Sequence, residues 1–349
     1  NIDNATDDDW KPSELLITYL QLALYCGYMY YLTQDEKYAY VASSILYSFL
    51  KSVQQSEVSS WHHRGGWLFP YDGFREVRVI GYRLPLIYDF IHAYLKKEGK
   101  AFDIIKNKKV NFPFEDAQKV FKAYANITIN YGQTGSNHCA LEAPSLVFNA
   151  LAMDDETERD KWLSYFLTES TENQDALNVM VKNYKNEGDI WPETSQYLNH
   201  TTSILVRLML VVNKYKPSLK LGEKYPNVLY ALPRLDYFVY PNKEIVRWGD
   251  GHRSAHAPYE AYEHAYALAN MDGLTAIQDK FAPLISRAIT KGKYKREGTE
   301  ALFWYSDSFE NESRTIDLFR TDRVYHAGIV LQRNLSTTNN PKDGLMCFV

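Results

Sequence analysis

The sequence predicts a mainly α fold: an incomplete (α/α) toroid of helical hairpins over residues 1–297, followed by the start of an antiparallel β-sheet domain over 298–349. Three observations carry this expectation. Up to about residue 290, apolar residues recur at the spacing of one helix face. Short Gly, Pro, Asn and Asp clusters separate the helical segments, as antiparallel neighbours require. Beyond Gly298 the texture changes to short β-branched and aromatic runs.

The first helices are expected over 13–32, up to the polar Thr33-Gln34-Asp35, and over 36–54, up to Gln55-Ser56. The next run over 74–98, closed by Gly99, and over 115–130, between Pro113 and Gly132. Helices over 138–152 and 157–169 flank Asp154-Asp155, and one over 173–184 precedes Gly188-Asp189. Pro217 closes 198–215, Asp272-Gly273 separates 257–270 from 274–290, and Gly292 comes next. Segment lengths vary and no motif recurs, which excludes a regular solenoid. Ala301–Tyr305, Thr315–Phe319 and Tyr325–Leu331 read as strands. So few strands cannot make an independent core, so the expectation is the truncated beginning of a larger sheet.

With 45% hydrophobic and 23% charged residues among 349, the chain is neither disordered nor membrane-like, and no run is read as approaching the roughly 18 apolar residues of a membrane span. A net charge of −4 and scattered Lys and Arg argue against nucleic-acid binding. The 28 tyrosines and 7 tryptophans offer flat amphipathic faces suited to sugars, although most such rings fill cores. Cys26, Cys139 and Cys347 form an odd set without metal spacing.

Two polar islands interrupt the helical pattern: Ser136-Asn137-His138 with Glu142, and Glu187-Gly188-Asp189-Ile190-Trp191-Pro192-Glu193 leading to Tyr197. These residue types suit β-elimination from a uronic-acid glycan. The C5 proton leaves beside a carboxylate, so the site must neutralise that carboxylate and supply a base and an acid. The Asn137 amide can donate to a carboxylate oxygen, and the His138 ring can donate or take a proton. Tyr197, protonated at neutral pH, is suited to the acid role, because service as a base requires nearby positive charge. Glu142 stands four residues after His138 on the same helix face, able to orient the imidazole or meet a sugar hydroxyl. Trp191 and Glu193 are candidate substrate contacts.

Each island also has a plain structural account. Asn137 and His138 stand where a helix is capped, and the second island is a loop packed by its tryptophan. Arg78, beside Arg75 and Arg83, can meet an anionic sugar or simply be a solvated helix-face charge offset by Glu76. His252 and His256 share a helical spacing but lack a third ligand and the glutamate of a zinc-protease motif; no metal is assigned, and His252 is kept as a substrate contact. His62 and His63 lie in a tryptophan-flanked loop.

Asn-His followed by Glu, and some fifty residues later the Gly-Asp-x-Trp-x-Glu-x-Ser-x-Tyr segment 188–197, resembles the heparinase II/III-like polysaccharide lyases and the related alginate lyases. Phe74–Arg83 resembles the arginine-bearing early helix of that family, and Trp248-Gly249-Asp250 its turn after the helical ring. The resemblance implies a toroid followed by an antiparallel sheet domain, with substrate between them. It also implies Asn137 as carboxylate neutraliser, His138 as base or neutralising partner, and Tyr197 as acid, or as both base and acid for one C5 epimer. The expected partner is an acidic polysaccharide, glycosaminoglycan or alginate-like. The protein is expected to be periplasmic or secreted. No cofactor is required in this portion, while the family leaves room for a structural divalent metal in the remainder of the sheet domain. Two other classes stay open: an α/α-barrel glycoside hydrolase using Glu142, Asp189 or Glu193 as its carboxylates, and a non-catalytic glycan-binding protein.

Overall fold

The computed structural model describes residues 7–53, 66–69, 72–193, 195–240, 245–247, 257–296, 301, 304–306, 309, 320–324, 328–334 and 345–348. The chain is mainly helical with a small antiparallel sheet near its end. It divides into two compact units, Asn1–Val179 and Met180–Val349.

In the first unit, α1 (Asp7–Thr33) packs against α2 (Glu36–Val53) and α4 (Arg83–Glu98). Asp35 starts α2 by accepting the Lys37 amide at 3.1 Å. Gly99, at φ 62°, ends α4 as a left-handed cap whose amide donates to Leu95. Leu20, Leu24, Leu46, Leu50, Ile87 and Ile91 close the core between these helices. Glu14–Thr33 is long and apolar enough by composition to cross a membrane, with 33% of that stretch buried in the protein. This corrects the count of apolar residues made on the sequence, where Thr18, Gln21 and interspersed tyrosines hid the run.

The expected helix over 74–98 is three pieces: a short turn α3 (Gly73–Arg75), a π-helix Glu76–Gly81, then α4. The widened segment results from close packing on α6 (His138–Leu151). A Cβ on Gly81 would collide with Ser145 Oγ and lie 3.0 Å from the Tyr124 ring. Asn149 Nδ2 donates to the Gly81 carbonyl at 2.8 Å, taking up an acceptor inside the wide turn. Gly81→Ala is therefore expected to cost about 1–3 kcal/mol, as overpacking in a tight core does. Urea unfolding checks it, and an unchanged midpoint would contradict the close approach.

A hairpin of β1 (Lys100–Asp103) and β2 (Lys108–Asn111), which the helical periodicity did not predict, comes after α4, with Lys100 opposite Asn111. Tyr47 fastens it to α2 by donating to Asp103 at 3.1 Å. Then come α5 (Phe114–Tyr131), α6 and α7 (Glu156–Leu167), the last capped by Asp155 accepting the Glu158 amide. The helix expected over 173–184 is only the short α8 (Leu177–Met180) and a 3-10 turn, Val181–Asn183.

In the second unit, α9 (Ser195–Tyr215) packs on α13 (Tyr259–Met271), which pairs with α14 (Thr275–Thr290). The short helices α10 (Leu221–Lys224), α11 (Pro226–Ala231) and α12 (Arg234–Tyr237) intervene. Asp272 fixes α10 by accepting the Gly222 amide at 2.7 Å and the Glu223 amide at 3.1 Å. Strands β3 (Thr321–Val324), β4 (Ile329–Asn334) and β5 (Leu345–Phe348) form an antiparallel sheet in that order. Arg234 of α12 holds Asp322 of β3 at 2.5 Å, and Arg333 of β4 donates to the carbonyls of Tyr237 and Val239. The described positions in 301–305 are 3-10 and turn rather than strand, while 315–319 lies outside the described residues.

His264 of α13 is buried, its ring edge against Trp304, and among the described residues neither ring nitrogen has a hydrogen-bond partner. Burial, with Arg207 and Lys214 nearby, pulls its pKa from 6.5 down to about 3. A depressed folded value means that the neutral ring's contribution is present above about pH 6.5 and lost as pH falls toward 3. The slope approaches about 1.4 kcal/mol per pH unit in that window. His264→Phe is expected to remove this acid sensitivity. Unfolding free energies at pH 5 and 7 test it, and an identical pH dependence in both proteins would exclude His264 as the cause.

Candidate active site

In the first unit the π-helix and the start of α6 bring three predicted residues together. Asp72 begins the turn by accepting the Arg75 amide at 2.9 Å, and the π-helix then presents Arg78. Arg78 Nη2 lies 2.7 Å from His138 Nδ1 and 2.8 Å from Glu142 Oε1. Phe74 walls the group, its ring edge-on to His138 at 4.9 Å and beneath the Arg78 guanidinium at 5.4 Å. The His138 side chain is 31% exposed and that of Glu142 only 1%. Glu142 therefore lies under the imidazole and balances the Arg78 charge, rather than facing solvent.

A guanidinium only donates, so His138 Nδ1 must accept. The ring proton then sits on Nε2. The pair thus selects one neutral tautomer of His138, whose Nε2–H is a hydrogen-bond donor.

The turn before α6 is held from two sides. Gly135, at φ 67°, donates its amide to Asp175 at 2.9 Å, and Gln174 donates to the Cys139 carbonyl at 2.7 Å. Asn137 occupies the N-cap position, yet its side chain makes no capping hydrogen bond. Ser136 Oγ instead accepts the His138 amide at 3.3 Å. Capping thus does not account for Asn137, and the helix N-terminus beside it favours negative charge.

Glu76 supports this arrangement from below. Its neighbours in the sequence suggest a counter-charge for arginines; it is in fact fully buried. Its Oε2 accepts the Leu68 and Phe69 amides at 2.9 Å each, and its Oε1 accepts from Tyr124 at 2.6 Å. Burial pushes the Glu76 carboxyl up, against the opposing effect of these donors. A Cβ on Gly66 would collide with Glu76 Cγ, so the loop closes over the carboxylate only with glycine there. Neither Phe74 nor the buried role of Glu76 is legible in the sequence, where Arg75 and Arg78 flank the acid. Arg83 serves the fold, donating to Val79 and, at 3.3 Å, to Gln21.

The second unit carries the other island. Asp189, 4% exposed, accepts from the backbone and side-chain nitrogens of Asn186, and Gly188 turns at φ 85°. Trp191 is 5% exposed and donates to Glu193 Oε2 at 2.9 Å, its ring 6.3 Å from that of Tyr184. Trp191 therefore packs the loop, and Glu193 is its partner. Tyr197 is partly exposed in the first turn of α9. His252, His256 and Trp248-Gly249-Asp250 lie outside the described residues, as do His62 and His63. Among the described residues no group of three or more His, Cys, Asp or Glu could hold a metal ion.

The second island and the chain beyond it match a known family. The endo-acting ulvan lyase second domain matches residues 187–320. The chain is also similar to an endo-acting ulvan lyase of Formosa agariphila, with 26% identity over 343 residues that make up 93% of this chain and 41% of that protein. The chain thus spans about two fifths of the length of the curated relative it matches.

Proposed function

We propose that this chain is the helical, catalytic portion of a polysaccharide lyase that cleaves an anionic, uronic-acid-containing glycan by β-elimination. The observation that carries the reading is the Arg78–His138–Glu142 cluster at the start of α6, beside an Asn137 that caps nothing. The likeness to an endo-acting ulvan lyase supports it and favours ulvan, a sulfated uronic-acid polysaccharide, over glycosaminoglycans and alginate. The heparinase II/III-like resemblance adds an (α/α) toroid, an exported protein and a cleft between ring and sheet.

Asn137 and the Nε2–H of His138 donate to the substrate carboxylate, so that charge developing at C5 spreads into it. With His138 held as a donor, proton transfer falls to Tyr197. In one concerted relay the protonated phenol hands its proton to the leaving C4 oxygen as the C4–O bond breaks, and takes up the C5 proton as the C4–C5 double bond forms. Glu142 and Arg78 orient the imidazole without touching the sugar. Trp191 and Glu193 shape the loop leading to Tyr197, and His252 is a substrate contact. None of these steps needs a cofactor.

The test uses the complete protein on ulvan, heparan sulfate, chondroitin sulfate, hyaluronan and alginate. A rise in ultraviolet absorbance from the unsaturated uronate, strongest on ulvan, is the expected result. New reducing ends without that absorbance would move the case to hydrolysis by Glu142, Asp189 or Glu193. No cleavage of any uronate polymer would sink the lyase reading.

A further inference from the structure

Helix α1 is apolar on both faces but buried on one. Leu20, Ala23, Leu24 and Tyr28 face the core against α2 and α4. On the opposite side Leu15, Tyr19, Leu22, Tyr25, Met29 and Leu32 are between 37% and 58% exposed. No charged residue occurs between Glu14 and Asp35. Leu15, Thr18, Leu22, Tyr25, Met29 and Leu32 fall at alternating spacings of three and four, the seam of a helix that packs lengthwise against another helix. A helix hydrophobic all round is normally covered all round.

We propose that this face is an isologous dimer interface in which α1 pairs with α1 of a second copy, antiparallel about a twofold axis. The exposed seam from Leu15 to Leu32 runs about 26 Å at 1.5 Å per residue. Its six large side chains leave roughly 570 Å² of surface per copy, taking about 200 Å² for each such residue when fully exposed. Two copies bury roughly 1,150 Å², above the about 1,000 Å² that a biological interface should clear. The uncharged seam is complementary to itself: a twofold axis beside residues 23 and 24 sets Leu15 against the partner's Leu32 and Leu22 against the partner's Tyr25. Antiparallel helices also oppose their dipoles. A lipid surface fits less well, because the exposed face carries no Lys or Arg to meet headgroups. Spanning a bilayer would strip the buried inner face from its core.

Sedimentation velocity of the complete protein at micromolar concentration tests this, beside Leu22→Glu and Tyr25→Glu. A dimer in the parent is expected, with association weakened about 100-fold or more in each variant and an unchanged helical circular dichroism spectrum, since both side chains are half exposed. A short bismaleimide should join two copies through Cys26, which lies beside the seam, and fail in Cys26→Ser. A monomer at all concentrations, a dimer untouched by both variants, or flotation with phosphatidylcholine vesicles that the variants abolish would each overturn the proposal.

Discussion

Tyr197→Phe is expected to lower kcat on the cleaved glycan by about 10³, with KM changed less than about threefold. The substitution removes one oxygen and leaves the ring, so packing in the first turn of α9 is kept. A positioned proton-transfer group contributes about 10²–10⁴ in rate, and here one phenol both takes the C5 proton and protonates the leaving oxygen. An interaction made only in the transition state lowers kcat and kcat/KM together. Steady-state absorbance assays on the complete protein, with circular dichroism to confirm folding, give the answer. If the variant retains more than a tenth of parental kcat, Tyr197 is not the proton carrier, and the base must be sought among residues such as His138.

Arg78→Met is expected to cost about 3 kcal/mol of folding stability and most of the activity. It strands Glu142, whose side chain is 1% exposed, without its counter-charge. Breaking one partner of a buried pair typically costs about 3–5 kcal/mol. The lower end applies because the Arg78 side chain is 29% exposed and water can partly screen it. Glu142→Gln in the Arg78→Met background should recover most of the stability, because no stranded charge remains. It should not recover activity, because His138 Nδ1 still lacks the donor that fixes its tautomer. Arg78→Lys keeps charge without the planar fork that reaches both partners, so it should hold stability better than activity. Urea unfolding of the parent, both single variants and the double variant forms a double-mutant cycle. Additive losses would mean that Arg78 and Glu142 are not coupled.

Much of the helical fold could be read from the chain because periodicity and punctuation agree there. Asp35, Gly99 and Asp155 end or begin helices by local hydrogen bonds that any such sequence makes. The pieces that escaped depend on distant partners. The β1–β2 hairpin has three lysines among its eight strand residues and no alternating apolar pattern long enough to read, and it is held by Tyr47, 56 positions from Asp103. The break inside 74–98 is set by Ser145 and Asn149 of another helix. In the candidate site, residue types and spacing paired His138 with Glu142 on one helix face and named Arg78 separately. Only folding shows that Arg78 bridges the other two, because 60 residues separate it from His138. Trp191 illustrates the converse: an aromatic suited to a sugar face is 5% exposed and packs its own loop.

The π-turn at Glu76–Gly81 holds one residue more than an α-turn would. Losing a single residue there would let α4 continue as an ordinary helix, with its capping glycine and apolar stripe intact. The helix faces before and after the turn would keep their directions, because the extra residue is absorbed within it, but Arg78 stands inside the turn and would be displaced from His138 as the turn tightens. Descendants of this gene could therefore lose the reaction through one in-frame codon deletion while keeping a well-folded protein. Aligned sequences one residue shorter across this segment are where binding-only relatives should be sought.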